Sequence, residues 1–317
     1  MEILFSTKLT DDQREYLKRK YPAQSFHFFK NMEQAKAFLP TADVLVTYGG
    51  DLNRELIQEA KQLKWIMLFS AGMDDMPLKE IEEADIILTN VRGIHKVPMA
   101  EYAISMLLQV YRQEKTLVKN ENEHKWEKSL RMNEISGKTM LIAGTGAIGQ
   151  EVARLAKAFR MKTVGVSRSG RKVDYFDENH ANTDLKKLLP EADFLVSVMP
   201  STRETYHFYT MEHFKLMPEH AVFLNMGRGD AVGTDVLLEA VRNHEIAHAV
   251  LDVFEQEPLP EDSPLWNERN VTLTPHLSGV SPAYMTRALE IFDHNLEAYL
   301  RDDQENMQNK IDVSRGY

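Results

Sequence analysis

Met140-Leu141-Ile142-Ala143-Gly144-Thr145-Gly146-Ala147-Ile148-Gly149 is the stretch on which the reading of this chain turns. An apolar run of strand type ends directly on a G-x-G-x-x-G turn. In such a turn the first glycine permits a sharp bend, the second leaves room for a pyrophosphate against the backbone, and the third lets the next helix pack closely. Residues Ala147 to Met161 supply that helix, with Ile148, Val152, Leu155, Ala156 and Phe159 at helical spacing. Its N-terminus offers free N–H groups and the positive end of the helix dipole to phosphate. A glycine motif alone is weak, but a strand before it and an amphipathic helix after it are the context that a dinucleotide site requires.

Outward from this point, short apolar runs alternate with helical stretches, the pattern of parallel sheets covered by helices. Glu2–Ser6, Phe26–Phe29, Val44–Thr47, Trp65–Phe69 and Ile86–Leu88 read as strands, with helices at Asp11–Lys20, Asn31–Leu39 and Leu52–Ala60. They suggest one small α/β domain over residues 1 to about 95. A second series, Met140–Ala143, Thr163–Val166, Phe194–Met199, Val222–Asn225, Ala249–Leu251 and Val271–Thr274, forms a second open sheet. Between them, Pro98 to Asn120 reads as a linker helix, with Met99, Ala103, Met106, Leu107 and Val110 in phase. Its apolar face suits either packing within the subunit or a twofold partner. Ser281–Leu300 reads as a further amphipathic helix.

Composition narrows the class. At 317 residues the chain can hold two ordinary domains, and 43% hydrophobic with 27% charged residues describes a globular protein. No run approaches the roughly 18 apolar residues of a membrane span, and Met1-Glu2-Ile3-Leu4-Phe5 lacks a basic signal-peptide region, so a cytoplasmic location is expected. The absence of cysteine excludes disulfides, thiolate metal sites and cysteine nucleophiles. A net charge of -10 disfavours nucleic acid as a partner. No metal site is expected, since the eleven histidines form no ligand spacing such as H-E-x-x-H.

Three clusters lie where strands of the second sheet end, which is where open α/β sheets place their ligand crevice. In Asn225-Met226-Gly227-Arg228-Gly229-Asp230, glycines flank an arginine and permit an unusual turn that aims it into the crevice. A guanidinium holds a carboxylate or α-keto acid through paired charge-assisted hydrogen bonds. Leu251-Asp252-Val253-Phe254-Glu255-Gln256-Glu257-Pro258 brings acids, and Thr274-Pro275-His276 brings a histidine suited to general acid catalysis. Each alone also fits an ordinary surface loop. Together with a dinucleotide they make a hydride-transfer set.

These residues resemble the D-isomer-specific 2-hydroxyacid dehydrogenases, and nearest in type the NADPH-dependent glyoxylate/hydroxypyruvate reductases. The matches run in family order: Ser70-Ala71-Gly72-Met73-Asp74, Thr89-Asn90, Ala100-Glu101, the glycine motif, Ala192-Asp193, Asn225 to Gly229, Asp252-Val253-Phe254, Glu257-Pro258-Leu259, Thr274-Pro275-His276 and Asn309-Lys310-Ile311-Asp312. The resemblance implies two doubly wound parallel-sheet α/β domains. A Rossmann-type cofactor domain, residues 99–287, would be inserted into a smaller flavodoxin-like substrate domain, residues 1–98 and 288–317. It implies a homodimer through the cofactor domain.

It also implies roles. Arg228 binds and polarises the 2-oxo acid, His276 protonates the forming alkoxide, and Glu257 orients His276 and favours its imidazolium. The cofactor contacts would be Gly144, Thr145, Gly146, Ala147, Ile148, Gly149, Ser167, Arg168, Ser169, Pro200, Thr205, Met226, Asp252, His276 and Gly279, with Asp252 approaching the nicotinamide carboxamide. Gly49 and Gly72 would grip the substrate carboxylate beside Arg228 and His276.

The end of the second strand, Gly165-Val166-Ser167-Arg168-Ser169, lacks the acid that usually holds a ribose 2′-hydroxyl. Ser167 stands where NAD-using relatives tend to have Asp, and Arg168, Arg171 and Lys172 follow. NADP(H) is therefore expected in preference to NAD(H), the latter remaining possible. The expected reaction is reduction of small 2-oxo acids, glyoxylate or hydroxypyruvate, to D-2-hydroxy acids. Glu257 disfavours formate dehydrogenase, where the family carries glutamine. Arg92 or His95 could contact an anionic or hydroxylated substrate tail, though a solvated loop also explains both. The alternative is a dinucleotide-sensing, corepressor-like binding protein, a class that keeps the same three residues.

Overall fold

The computed structural model describes residues 1–70, 72–73 and 76–313; Ala71 and Asp74, from the expected Ser70–Asp74 motif, lie outside the described residues. The chain divides into two compact units, Met1–Ile94 with Pro282–Tyr317, and His95–Ser281. Boundaries at 98/99 and 287/288 would have cut the helices Lys96–Tyr111 and Tyr284–Leu300. The chain instead divides ahead of each helix, because a helix buries its apolar stripe as one rigid face.

In the first unit five parallel strands, β1 (Glu2–Phe5), β2 (Ser25–Phe28), β3 (Val44–Thr47), β4 (Trp65–Leu68) and β5 (Ile87–Asn90), form a sheet in the order β2-β1-β3-β4-β5. This is the flavodoxin-like order. β3 and β4 are buried throughout and apolar except at Thr47, as expected of strands covered on both faces. Successive side chains serve opposite cores. Ile3, Phe5, Val46 and Trp65 pack with Phe292 of the C-terminal helix, whereas Leu4, Leu45, Ile66 and Leu68 pack with Leu56 and Ile81.

In the second unit seven parallel strands follow: β6 (Thr139–Ala143), β7 (Lys162–Ser167), β8 (Glu178–Ala181), β9 (Phe194–Ser197), β10 (Val222–Asn225), β11 (His248–Leu251) and β12 (Val271–Leu273). Their order is β12-β11-β10-β9-β6-β7-β8. The order reverses at β6, between β9 and β7, so the glycine turn leaves the sheet at its topological switch point. Again the strands feed two cores, Met140, Ile142 and Val196 on one face and Leu141, Ala143 and Leu195 on the other.

Elements that differ from the sequence reading include the helix Leu78–Glu83, which had no counterpart in it, and the two that follow. The expected helix over 98–120 is two helices, Lys96–Tyr111 and Glu114–Asn122, because Gln113 turns the chain in the left-handed region at φ 51°. In the first of them Met99, Ala103 and Leu107 pack with Val152 and Ala156, within the unit. β8 had no counterpart in the reading; its residues, Glu178-Asn179-His180-Ala181, suit a half-exposed edge strand that has no apolar alternation.

Candidate active site

Each glycine of the turn does a different task. Gly144 sits at φ +106°, and a Cβ there would stand 2.9 Å from the Val198 carbonyl oxygen. A Cβ on Gly149 would fall 1.9 Å from the Gly144 carbonyl oxygen, so only glycine lets the helix Ala147–Ala158 start against the turn. Around Gly146, by contrast, nothing lies within 4 Å of a Cβ position. That opening faces the first helical turn, whose N–H groups have no intrahelical acceptor. The cradle fits a dinucleotide pyrophosphate, with Thr145, Ala147 and Ile148 beside it.

At the end of β7, Ser167 Oγ accepts the Gly170 N–H at 3.2 Å and Ser169 Oγ accepts that of Arg171 at 3.4 Å, shaping a tight loop around Arg168. The charge of Arg168 is felt in the turn after β9. Glu204 there is held below its usual pKa, first by its own backbone amide and then by the Thr202 hydroxyl, with the charges of Arg168 and Arg203 adding to this. In the same turn the buried Thr205 hydroxyl donates to the Pro200 carbonyl at 2.7 Å and accepts the Thr202 N–H at 2.8 Å. It closes the turn. Met226 is buried, with its N–H on the Ser197 carbonyl.

Arg228 follows β10 with extended backbone, and neither flanking glycine has positive φ. This corrects the reason for them. A Cβ on Gly227 would meet the Met199 carbonyl at 2.6 Å, and one on Gly229 would lie 1.9 Å from the Phe254 carbonyl carbon. The glycines admit the loops after β9 and β11 on either side, which fixes the half-buried Arg228 between them. Asn225 locks the loop from within, donating to the Arg228 carbonyl at 2.9 Å and accepting from Gly227 N–H at 3.2 Å.

His276 Nδ1 lies 2.7 Å from Glu257 Oε2, and the other Glu257 oxygen accepts the Phe254 N–H at 3.0 Å. His276 itself sits at φ 50°, a conformation held by its N–H on the Asp252 carbonyl at 2.8 Å. Asp252 is fully buried, and its carboxylate accepts the Thr274 hydroxyl at 2.6 Å and the N–H groups of Leu277 and Ser278 at 3.0 and 2.9 Å. Because Thr274 donates to a carboxylate, it must accept from Tyr102, whose hydroxyl is 2.7 Å away. Burial raises the pKa of that Tyr102 phenol, which keeps it a donor. The sequence reading assigned Asp252 to the cofactor and gave Tyr102 and Thr274 no role. The structure gives all three the task of anchoring the loop that carries His276.

Beside this pair a cavity of about 570 Å³ is lined by Phe254, Pro258, Leu259, Trp266, Leu273 and Pro275 together with Glu257 and His276. The loop continues to Gly279, which packs against the imidazole of His95. Thus Arg228, Glu257, Asp252, His276 and Gly279 gather at the strand ends of one unit. Gly49 and Gly72 belong to the other. There Gly49, at φ +94°, donates its N–H to Thr47 Oγ1 at 3.2 Å, and the Gly72 carbonyl accepts from Ser70 Oγ at 3.0 Å. Among the described residues, no group of three or more His, Asp or Glu is placed to hold a metal, and no helix is long and apolar enough to cross a membrane.

Comparison with known proteins agrees with this fold. The family model of the D-isomer specific 2-hydroxyacid dehydrogenase NAD binding domain matches residues 104–278. The chain belongs to the D-isomer specific 2-hydroxyacid dehydrogenases, which are NAD(P)-dependent oxidoreductases. It is 34% identical to a glyoxylate reductase of Thermococcus litoralis over 82% of this chain and 81% of that one. Against a glyoxylate/hydroxypyruvate reductase B of Yersinia pestis it is 30% identical over 88% of both. The crystal structure of a family protein from Aeromonas salmonicida superposes with TM-score 0.87, 36% identity and coverage of 98% and 99%. An NADPH-dependent glyoxylate/hydroxypyruvate reductase of Sinorhizobium meliloti, solved with NADP and sulfate, gives 0.82, 25%, 100% and 99%. The enzyme therefore combines a 7-stranded parallel sheet matched to a nicotinamide dinucleotide domain with a 5-stranded parallel partner.

Proposed function

We propose that this enzyme reduces small 2-oxo acids of the glyoxylate and hydroxypyruvate type to D-2-hydroxy acids, with NADPH the favoured cofactor. The His276–Glu257 pair at 2.7 Å, on the same strand-end crevice as Arg228, is the observation that carries this reading. Arg228 takes the substrate carboxylate and 2-oxo group through its planar guanidinium. The bound dinucleotide, held at the Gly144–Gly149 cradle, supplies the hydride. His276 gives its proton to the oxygen on C2, and Glu257 holds the ring and balances its positive charge. Ser167 and Arg168 offer a hydroxyl and a guanidinium to a 2′-phosphate where an acid would serve NAD. Gly49 and Gly72 remain the proposed partners of the substrate carboxylate.

The enzyme is further proposed to act as a cytoplasmic homodimer through the unit His95–Ser281. Exposed Leu117 and Val118, and Trp126 with 88% of its surface free, support this; light scattering after gel filtration tests it. Absorbance at 340 nm tests the reaction, with NADPH and NADH against glyoxylate, hydroxypyruvate and pyruvate, followed by chiral analysis of the product. Consumption of NADPH with one of them is expected, falling about 100-fold or more in His276→Gln. Binding of NADPH without turnover of any 2-oxo acid would favour a dinucleotide sensor instead.

A further inference from the structure

We propose that Glu255 is a positioning residue for proton transfer: it ties the turn Phe254–Glu257 to two neighbouring loops, and through that turn it sets Glu257 against His276. This rests on the 2-oxo acid reductase reading above, in which His276 is the proton donor.

Glu255 stands two residues before Glu257 on the loop after β11, and its carboxylate bonds to the loops that follow β9 and β10. Oε2 accepts the Thr234 N–H at 2.5 Å and the Thr234 hydroxyl at 2.6 Å, and Oε1 lies 2.8 Å from His207 Nε2. Thr234 is the first residue of the helix Thr234–Arg242, so its N–H has no acceptor within that helix. His207 sits at φ 47°, where its N–H donates to the Asp230 carbonyl at 2.7 Å and its ring stacks on Tyr206 with centroids 4.2 Å apart. Both partners are thus held by contacts of their own. Burial works against ionisation of the Glu255 carboxyl, but the Thr234 hydroxyl and N–H, and then His207, together hold it below the usual carboxylate range. It is a carboxylate at neutral pH.

The turn that carries Glu257 is braced at both of its first two residues. The Phe254 N–H donates to Glu257 Oε1 at 3.0 Å, while the Phe254 carbonyl carbon lies so near Gly229 that a Cβ there would stand 1.9 Å from it. The peptide beyond that carbonyl leads directly to Glu255. With 34% and 53% of their side-chain surfaces free, Glu257 and His276 are not confined by packing. Their 2.7 Å contact therefore depends on where the loop backbone places them. A displacement of about 1 Å at such a pair costs up to about 100-fold in rate.

The test places Glu255→Ala and Glu255→Gln in wild type and in Glu257→Gln, with saturating NADPH and the 2-oxo acid that wild type reduces fastest. Glu255→Ala is expected to lower kcat about 10- to 100-fold, with the KM for NADPH changed by less than about twofold. Glu255→Gln keeps an oxygen for Thr234 and an amide for a neutral His207 ring, and is expected to recover most of the wild-type kcat. In the Glu257→Gln background the linkage has nothing left to set, so Glu255→Ala should cost less than about threefold more. The nitrogen-15 signals of the His276 ring, read without substrate, are expected to move in Glu255→Ala and to return in Glu255→Gln. Losses that add in the double variant, a glutamine variant as slow as the alanine one, a loss carried by the KM for NADPH, or unmoved His276 signals would each overturn the assignment. Wild type inert toward 2-oxo acids would overturn the reductase reading, while the His276 signals would still decide the link to Glu255.

Discussion

Asp252 and Thr274 meet through a 2.6 Å hydrogen bond from the threonine hydroxyl to a carboxylate with no exposed surface. Two backbone N–H groups, of Leu277 and Ser278, complete the carboxylate's shell, so the stretch on either side of His276 is held at one buried anchor. An amide at this position presents an NH₂ group to at least one of those donors. We therefore expect Asp252→Asn to destabilise the fold by about 2–4 kcal/mol and to lower kcat more than it raises the KM of either ligand. Thermal unfolding and steady-state kinetics check this. A variant with wild-type stability and kcat would show that the loop is held by other contacts.

Gly146 and Gly149 separate cofactor binding from folding. Gly146 has φ −75° and open space where a Cβ would go, so Gly146→Ala is expected to leave the stability of the ligand-free protein within about 0.5 kcal/mol. Its methyl group would occupy the pyrophosphate position, and the Kd for NADPH should rise tenfold or more, about 1.4 kcal/mol. Gly149→Ala puts a methyl group 1.9 Å from the Gly144 carbonyl oxygen and should cost about 3 kcal/mol or more in folding. Unfolding scans with and without NADPH distinguish the two. Unaltered NADPH affinity in Gly146→Ala would place the phosphates elsewhere.

Arg168 is the residue on which cofactor choice should turn. Loss of its charge-assisted hydrogen bonds to a 2′-phosphate is worth about 1.5–3 kcal/mol. Arg168→Ala should then raise the KM for NADPH roughly 10- to 100-fold and leave that for NADH within about threefold. Ser167→Asp should shift preference the other way, since the new acid repels the 2′-phosphate and accepts from a free ribose hydroxyl. Parallel changes with both cofactors would remove the loop from the selectivity argument.

What the sequence discloses here is what depends on neighbours in the chain. The glycine turn, the alternation of strands and helices, and the strand-end placement of Arg228, Glu257 and His276 all follow from local spacing. Gly227 and Gly229 could be located but not explained, because their reason lies in Met199 and Phe254, which only the sheet brings alongside. Likewise, Tyr102 and Thr274 are 172 residues apart, and no periodicity joins them. β8 escaped because Glu178-Asn179-His180 carries no apolar period. The break at Gln113 escaped because a left-handed residue other than glycine leaves no compositional mark.

His248 makes stability depend on pH. On β11 its Nε2 lies 2.9 Å from Thr272 Oγ1, and burial, with the nearby charge of Lys115, lowers its pKa from 6.5 to about 4. Lys115 is fixed there by donating to the Val271 carbonyl at 2.7 Å. A histidine with a depressed folded-state pKa binds its proton more readily when unfolded, so acid favours unfolding. The neutral ring contributes fully above pH 6.5, and that contribution is lost as the pH falls toward 4. The shift corresponds to at most about 3 kcal/mol, and partial exposure of the ring reduces this to about 2. His248→Gln cannot titrate. Its stability deficit relative to wild type, measured by denaturant unfolding at pH 7.5 and again near pH 4.5, is expected to shrink by about that amount. Stability curves that run parallel across this range would mean that the proton is accepted equally in both states, and that the acid sensitivity of the fold arises from other groups.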